Sequence, residues 1–578
     1  MPTLDWIGKK KVVNHHLDVP FKVLENKYTY SANNKATTSQ NKIIHGDNLE
    51  ALKSLLPEYE GRIDCIYIDP PYNTGNEGWI YNDNVNDPRI KKWLGEVVGK
   101  ESEDFTRHDK WLCMMYPRLK LLQKLLSEKG AIFISIDDNE QANLKLVCDE
   151  IFGSGNFVAN VSWQRTYSMR NDVKGIASEV ESVIIYCKSP DWQPNRLQRT
   201  EEMNSKYKNP DNDSKGAWRN IVASAPGAAT HQGMVYAIQN PLTGEFAYPP
   251  QGRCWSLGQD QMLNAMNEWC NYELKDLHDI EKRAEMCGVT KDEIKKDVFA
   301  IVLKDDLEIA KEKAQDILNN RVIPEFYFSK QGYGTLSRKA YLNSVSGRPV
   351  TNFWSFEECG HTDEASRQLK NMFDGKAIFD TPKPTRLIER ILQIATDKDS
   401  IILDSFAGSG TTAHAVLNMN KKDGGNRSFI LIEMMDYAET ITAERVKRVI
   451  KGYSDVEGTG GDFSFYELGE PLLINNLLNE NIETPVIRDY IYFTETGKKI
   501  PANTASENQY FLGCNYGAAY WFYYEKDRAT TLDIQFLQTI KNKYEQYIIY
   551  ADICLLPKEL LSRNNIIFKK IPRDIKRF

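Results

Sequence analysis

Two stretches of this chain carry residue types at spacings that suit chemistry. The first, "IDPPYNTG" from Ile68 to Gly75, follows the apolar run "DCIYI" with no polar spacer between a buried strand and its prolines. Pro70 and Pro71 have fixed φ and no backbone donors, so they cannot extend the ladder, and the carbonyls there are left pointing outward. A proline pair alone reads as a stiff turn. Asp69 in front and Tyr72 behind add a carboxylate and an aromatic face. The second stretch, "ILDSFAGSGTTAHAV", is a strand, a glycine turn and a helix N-terminus. Gly408 and Gly410 allow close backbone approach, and the helix start offers free N–H groups. A plain strand-to-helix turn would look similar. There is no third glycine for the dinucleotide fingerprint and no G-K-S/T for a phosphate loop. The next strand, "FILIE", ends in Glu433, where such folds hold ribose hydroxyls. A glycine turn with a ribose acid and no phosphate-binding features suits a nucleoside cofactor without a pyrophosphate, for which S-adenosylmethionine is the obvious candidate.

The elements that must position these residues are legible in the pattern. "KIIHGDNLEALKSLL" reads as strand, turn and amphipathic helix, followed by the strand "RIDCIYID". The helix "KWLCMMYPRLKLLQKLLSEKG" is expected to close on Gly130 as its C-cap, before the strand "AIFISID" and the helix "NEQANLKLVCDEIFG". Strands alternating with helices at this spacing predict a parallel sheet covered on both faces. The regularity stops between residues 161 and 378, where short turn-rich pieces surround a charged helical segment at about 270–320. It resumes over 379–468. The expected organisation is thus an arm (1–40), one α/β domain built from two blocks (41–160 and 379–468), an α+β insertion (161–378) and a small C-terminal α/β domain (469–578).

At 578 residues the chain exceeds a single core. Its 41% hydrophobic and 26% charged content is that of an ordinary soluble protein. No apolar run approaches the ~20 residues of a membrane span, and no apolar signal core opens the sequence, so a cytoplasmic location is expected, with no membrane contact. The ten cysteines are scattered without metal-ligand spacing, so no metal is expected. A net charge of −7 argues against coating nucleic acid through bulk charge but leaves room for a local basic face. The run from Arg321 to Val350 is one such segment and the tail "RNNIIFKKIPRDIKRF" is another; by itself, either reads first as an ordinary solvated face, the usual fate of a charge run.

Together, "DPPY" at Asp69–Tyr72 and "FAGSGTT" at Phe406–Thr412 resemble the catalytic and cofactor motifs of amino-group DNA methyltransferases. Their order, with the insertion between them, resembles the β-class permutation of the doubly wound, Rossmann-like class I methyltransferase sheet. "IIHGDNLEALKSL", "DPPYNTGNEGWIYNDN", "RLKLLQKLLSEKGAIFISIDDNE", "GGDFSFYEL" and "IIFKKIPRDI" resemble the modification subunit of type III restriction-modification systems. The resemblance implies transfer of a methyl group from S-adenosylmethionine to the N6 amino group of adenine in double-stranded DNA, on a base flipped out of the stack. It implies that Asp69 and the Pro70 carbonyl each accept one amino N–H, that Pro71 stiffens the turn and that Tyr72 stacks on the base. For the cofactor it implies Phe406, Gly408 and Gly410 at the methionine side, Glu433 at the ribose, Asp47 at the adenine amino group and Lys383 of "TPKP" at the methionine end. Asp404 either supports the turn or contacts the cofactor; Thr411 is counted with the cofactor contacts, though a helix cap would explain it and Thr412 equally well. The insertion would be the target-recognition domain, with Arg338, Lys339 and Arg348 contacting DNA. Tyr81, with Trp79 and Asp83, matches the family motif and reads as a DNA contact or as wall. The family usually dimerises and works with an ATP-dependent helicase-nuclease. Rival readings are an N4-cytosine methyltransferase, an adenine methyltransferase without a restriction partner, an inactive DNA-specificity subunit and, weakest, a dehydrogenase.

Overall fold

The structure, a computed structural model, describes residues 3–32, 39–73, 107–168, 175–320, 322–501 and 508–573. Tyr81, Trp79, Asp83 and Arg321 lie outside the described residues. The chain forms two compact units, one of residues 1–195 and 350–578, the other Arg196–Pro349.

The first unit is built on a ten-stranded sheet. Its strands are β1 (Lys22–Ser31), β2 (Lys42–His45), β3 (Ile63–Ile68), β4 (Leu126–Ile136), β5 (Phe157–Gln164), β6 (Val180–Cys187), β7 (Phe353–Trp354), β8 (Ile401–Asp404), β9 (Ser428–Glu433) and β10 (Asp462–Pro471). The spatial order is β1-β10-β2-β9-β8-β3-β4-β6-β5-β7. The six strands from β10 to β4 are mutually parallel. These central strands are near-continuous apolar runs because both faces are covered. On one face, Ile66, Ile68, Ile132 and Ile134 pack with α1 (Asn48–Tyr59), α2 (Arg107–Leu125) and α3 (Gln141–Phe152). The other face receives α4 (Thr385–Ala395), which contacts β3 and β4 and packs against α5 (Thr411–Asp423). This is the doubly wound α/β sheet expected, with β8 and β9, from late in the chain, inserted between β2 and β3.

Several local expectations are corrected. Gly130 caps no helix: α2 ends at Leu125 and Gly130 lies within β4, where a Cβ would come within 2.8 Å of the Ile63 carbonyl. Pairing of Ala131–Ile134 with β3 and of Ala131–Ile136 with β6 overrides the local stop signal. The arm contributes β1, which pairs antiparallel with β10 along the sheet edge. The second half of β5 (Phe157–Gln164) and all of β6 (Val180–Cys187), counted with the insertion that was expected to begin at 161, extend the main sheet beyond β4. The second unit therefore begins at Arg196 and ends at Pro349, inside the expected 161–378 boundaries. Within it, the charged stretch at about 270–320 is not one helix but two, Ile280–Cys287 and Leu307–Asn320, with the strand Ala300–Leu303 between them. The C-terminal segment has its own four-stranded sheet, but Phe21 and Val23 from the β1 edge join its core, so it belongs to the first compact unit. Among the described residues, no helix is long and apolar enough to cross a membrane.

Candidate active site

Parallel register brings the two motifs together. Leu403 pairs with Ile66 and Asp404 with Leu431, so the chain leaves β3, β8 and β9 at the same sheet edge. Asp69, Asp404 and Glu433 therefore all stand at the C-terminal ends of adjacent strands, where open α/β sheets bind ligands. A cleft of about 970 Å³, including its open mouth, lies there, and Asp69, Lys383, Phe406, Gly408 and Glu433 are among the residues lining it.

The glycine turn is held by the two buried acids. Asp404 accepts from Phe406 N at 3.0 Å and from Thr412 Oγ1 at 2.5 Å. Glu433 accepts from Gly408 N at 2.8 Å and Met435 N at 3.0 Å. Burial pushes Asp404 up to about 7 and Glu433 up to about 8, against the backbone donors that favour their charged forms. Gly408 has φ +52°, and a Cβ there would sit 3.1 Å from the Phe379 ring at the cleft wall. Gly410 has φ +83°, and its Cβ would meet the Thr442 carbonyl at 3.1 Å, so there the crowding comes from the protein itself. Gly410 also precedes α5, so neither threonine is the cap: Thr412 binds Asp404, and Thr411 Oγ1 donates to the Lys383 carbonyl at 3.2 Å.

Asp47 is the N-cap of α1, accepting from Leu49 N at 2.8 Å and Glu50 N at 3.2 Å. Its other oxygen faces Arg118 at 3.5 Å, and the neighbouring Asn48 lines the cleft. A glycine cradle, a buried acid at the next strand and an amide beside them fit the nucleoside expected from the sequence.

The "DPPY" turn is clamped from behind. Trp111 Nε1 on α2 donates to the Pro71 carbonyl at 2.6 Å, which fixes the turn beyond Pro70. Asn73 takes φ +60°, and its amide donates to Glu140 and to the Arg107 carbonyl. On the cleft side, Lys383 Nζ donates to both Asp69 oxygens at 2.8 Å and to the Tyr72 hydroxyl at 2.7 Å. The Tyr72 hydroxyl in turn faces Asp69 Oδ1 and Glu181 Oε1, each at 2.7 Å. Burial alone would lower the Lys383 ammonium's pKa; the Asp69 and Glu181 carboxylates reverse this and raise it. Burial, then the same two acids, keeps the Tyr72 phenol neutral by pushing it well above its ordinary value.

The structure thus gathers Asp69–Tyr72, Lys383, Asp404, Phe406, Gly408 and Glu433 around one sheet edge. It does not place Lys339 on a DNA face. That ammonium is wholly buried between Asp211 (2.6 Å) and Asp213 (2.7 Å), a correction to its reading as a phosphate contact. It lies on the inward side of the strand Leu336–Tyr341, where alternation turns it from its neighbour Arg338, which is half-buried. Arg348 is half-buried as well, and its backbone pairs with Leu197. Sequence reasoning missed Glu181, hidden among turn-rich segments, and Arg445, whose buried guanidinium donates to Ser409 Oγ at 2.7 Å and Thr411 Oγ1 at 2.8 Å. Only the amphipathic turn around Arg445 could have pointed to it; nothing local marks Glu181.

Comparison with known proteins agrees with this geometry. The family described as DNA methylase matches residues 63–444, and the chain belongs to that family. It is 33% identical to the StyLTI Mod subunit of a type III restriction-modification enzyme from Salmonella typhimurium, over 74% of this chain and 57% of that protein. It is 31% identical to the EcoPI Mod subunit of Escherichia phage P1, over 75% of this chain and 63% of the relative. The EcoP15I Mod subunit of Escherichia coli is 30% identical over 75% and 64%. The chain thus spans about three fifths of the length of these relatives. Among solved structures, the PvuII cytosine-N4-specific DNA methyltransferase aligns at 11% identity over 73% of this chain and 89% of its own, with a TM-score of 0.33, too loose a likeness to bear on substrate.

Proposed function

We propose that this chain transfers a methyl group from S-adenosylmethionine to the N6 amino group of a specific adenine in double-stranded DNA, as the modification subunit of a type III restriction-modification system. The observation that carries the reading is the convergence of Asp69 and Pro71 from the proline turn with Phe406, Gly408 and Glu433 from the glycine cradle on one cleft. The likeness to three Mod subunits supports the type III assignment. By the same reasoning an ATP-dependent helicase-nuclease would be its partner, a homodimer its working form and the cytoplasm its location.

An adenine amino group is a poor nucleophile because its lone pair is delocalised into the ring. When bound, S-adenosylmethionine supplies an electrophilic methyl on its sulfonium. The chain supplies orientation: the Asp69 carboxylate and the Pro70 carbonyl accept the two amino hydrogens at fixed angles, and Tyr72 faces the base. Glu433 and Asn48 hold the nucleoside end. Asp69 acts as an acceptor, not as a base beforehand, because the neutral amine is too weak an acid. It receives the proton that the nitrogen sheds once methylated. Most of the acceleration is then positional.

The test is transfer of labelled methyl from the cofactor to DNA from a methylation-free host, beside Asp69→Ala, with mapping of the modified base. Expected is N6-methyladenine at one recurring sequence, reduced at least about 100-fold in the variant. No transfer by intact protein that binds DNA normally would overturn the reading, and N4-methylcytosine as product would replace adenine by cytosine.

A further inference from the structure

In this structure Lys383 occupies what the target base needs. Its ammonium lies on both oxygens of Asp69, the intended acceptor of the amino group. It also stands 4.9 Å from the Tyr72 ring centroid, at the hydroxyl end of the face on which the base would stack. The lysine is held there by its backbone: Pro382 and Pro384 flank it, Thr381 takes φ +48°, and α4 starts immediately after. It is 9% exposed, so it cannot simply be released to water. A buried ammonium stripped of its carboxylate is costly. Asp69 can be handed to an incoming amino group only if the lysine has another carboxylate within reach.

Glu181 is that carboxylate. It projects from β6 and is 6% exposed, and its Oε1 is 3.2 Å from Lys383 Nζ. Its Oε2 is steadied by Arg165 at 3.7 Å. The Tyr72 hydroxyl reaches both acids at 2.7 Å and can turn its hydrogen to either.

Building on the proposed methyltransferase activity, we propose that Glu181 is a positioning residue that acts through Lys383. When the flipped base arrives, the ammonium shifts from Asp69 to Glu181, the Tyr72 hydroxyl turns its hydrogen to Asp69, and the carboxylate and the aromatic face become available. With no base bound, the lysine fills the acceptor site and keeps the half-buried Asp69 carboxylate paired.

The test is a double-mutant cycle on the single-turnover rate of methyl transfer, with dissociation constants for cofactor and DNA measured in parallel. Glu181→Gln should leave Lys383 pinned on Asp69 and slow transfer about 10- to 100-fold, with both dissociation constants within about threefold of the parent. Adding Lys383→Met removes the pinned ammonium, so the double variant should be faster than Glu181→Gln alone, a non-additivity that a merely structural role would not give. Glu181→Asp keeps the charge and should fall between the parent and Glu181→Gln; it also serves if the latter does not fold, as judged by its thermal transition. Additive effects, or a loss in Glu181→Gln that lies in cofactor affinity, would overturn the inference while leaving the methyltransferase reading intact. Absence of transfer by the parent would overturn both.

Discussion

Lys339 and Glu433 show how little a residue's type says about its work. Lys339 sits in a basic, aromatic-rich run and looks like a phosphate contact, yet it neutralises two buried aspartates. Burial pushes Asp213 up, but the lysine, a backbone donor and the Tyr341 hydroxyl outweigh it and hold it down at about 2. Lys339→Met is therefore expected to destabilise the Arg196–Pro349 unit by ~3–5 kcal/mol in chemical denaturation, because it leaves two buried carboxylates uncompensated. Weaker DNA binding with unchanged stability would contradict this. Glu433 runs the opposite way. Its folded-state value of about 8 lies above the ordinary 4.5, so between those values the folded state holds a proton that the unfolded chain has lost. Its contribution to stability therefore declines as pH rises from about 4.5 to about 8. Glu433→Gln removes that titration: its thermal transition should vary less steeply with pH across this window than the parent's and should lie above it near pH 8. Parallel curves for the two proteins would exclude the effect.

At the scale of elements, the site depends on where strands stop and helices start. Asp47 ends the turn after β2 and caps α1 through two backbone N–H groups. Asp47→Ala should cost ~1 kcal/mol of stability, whereas Asp47→Asn should cost little, since asparagine caps as well. This pair separates the cap from the cofactor contact implied by the family resemblance. If Asp47→Asn retains stability but loses cofactor affinity in calorimetry, the carboxylate touches the ligand. If affinity stays unchanged, Asp47 is a cap alone. The glycine turn makes the same point from the other side, since Gly410 is required by the Thr442 backbone of the protein and Gly408 by the cleft wall.

At the scale of the whole molecule, every candidate cofactor and catalytic residue lies outside the Arg196–Pro349 unit. The two ends of that unit leave side by side: Leu197 N donates to the Arg348 carbonyl at 3.0 Å and Arg348 N to the Leu197 carbonyl at 2.9 Å. Short loop closures are entropically cheap. Replacing residues 198–347 with a short glycine-serine linker should therefore leave a folded protein that binds S-adenosylmethionine with affinity near the parent's and has lost sequence-specific DNA binding. Loss of cofactor binding in a folded deletion protein would show that the first unit does not complete its site alone.

The sequence by itself determined the local chemistry. The proline pair after an apolar strand, the glycine turn before a helix and the acid closing the following strand are all near-neighbour features, set by φ restriction, missing donors and hydrophobic period. It also implied that two distant blocks share a sheet. Only the tertiary structure decided which side chains meet. Glu181 stands near the start of an antiparallel return strand, ahead of the apolar run Val183–Cys187, with nothing local to mark it, and it reaches Tyr72 and Lys383 across 109 and 202 residues, because β6 pairs with β4 and Lys383 enters from the start of α4. Lys339 was misread for the same reason: a strand's period of two shows that neighbours face opposite ways, but which face is buried is set by the aspartates that fold beneath it.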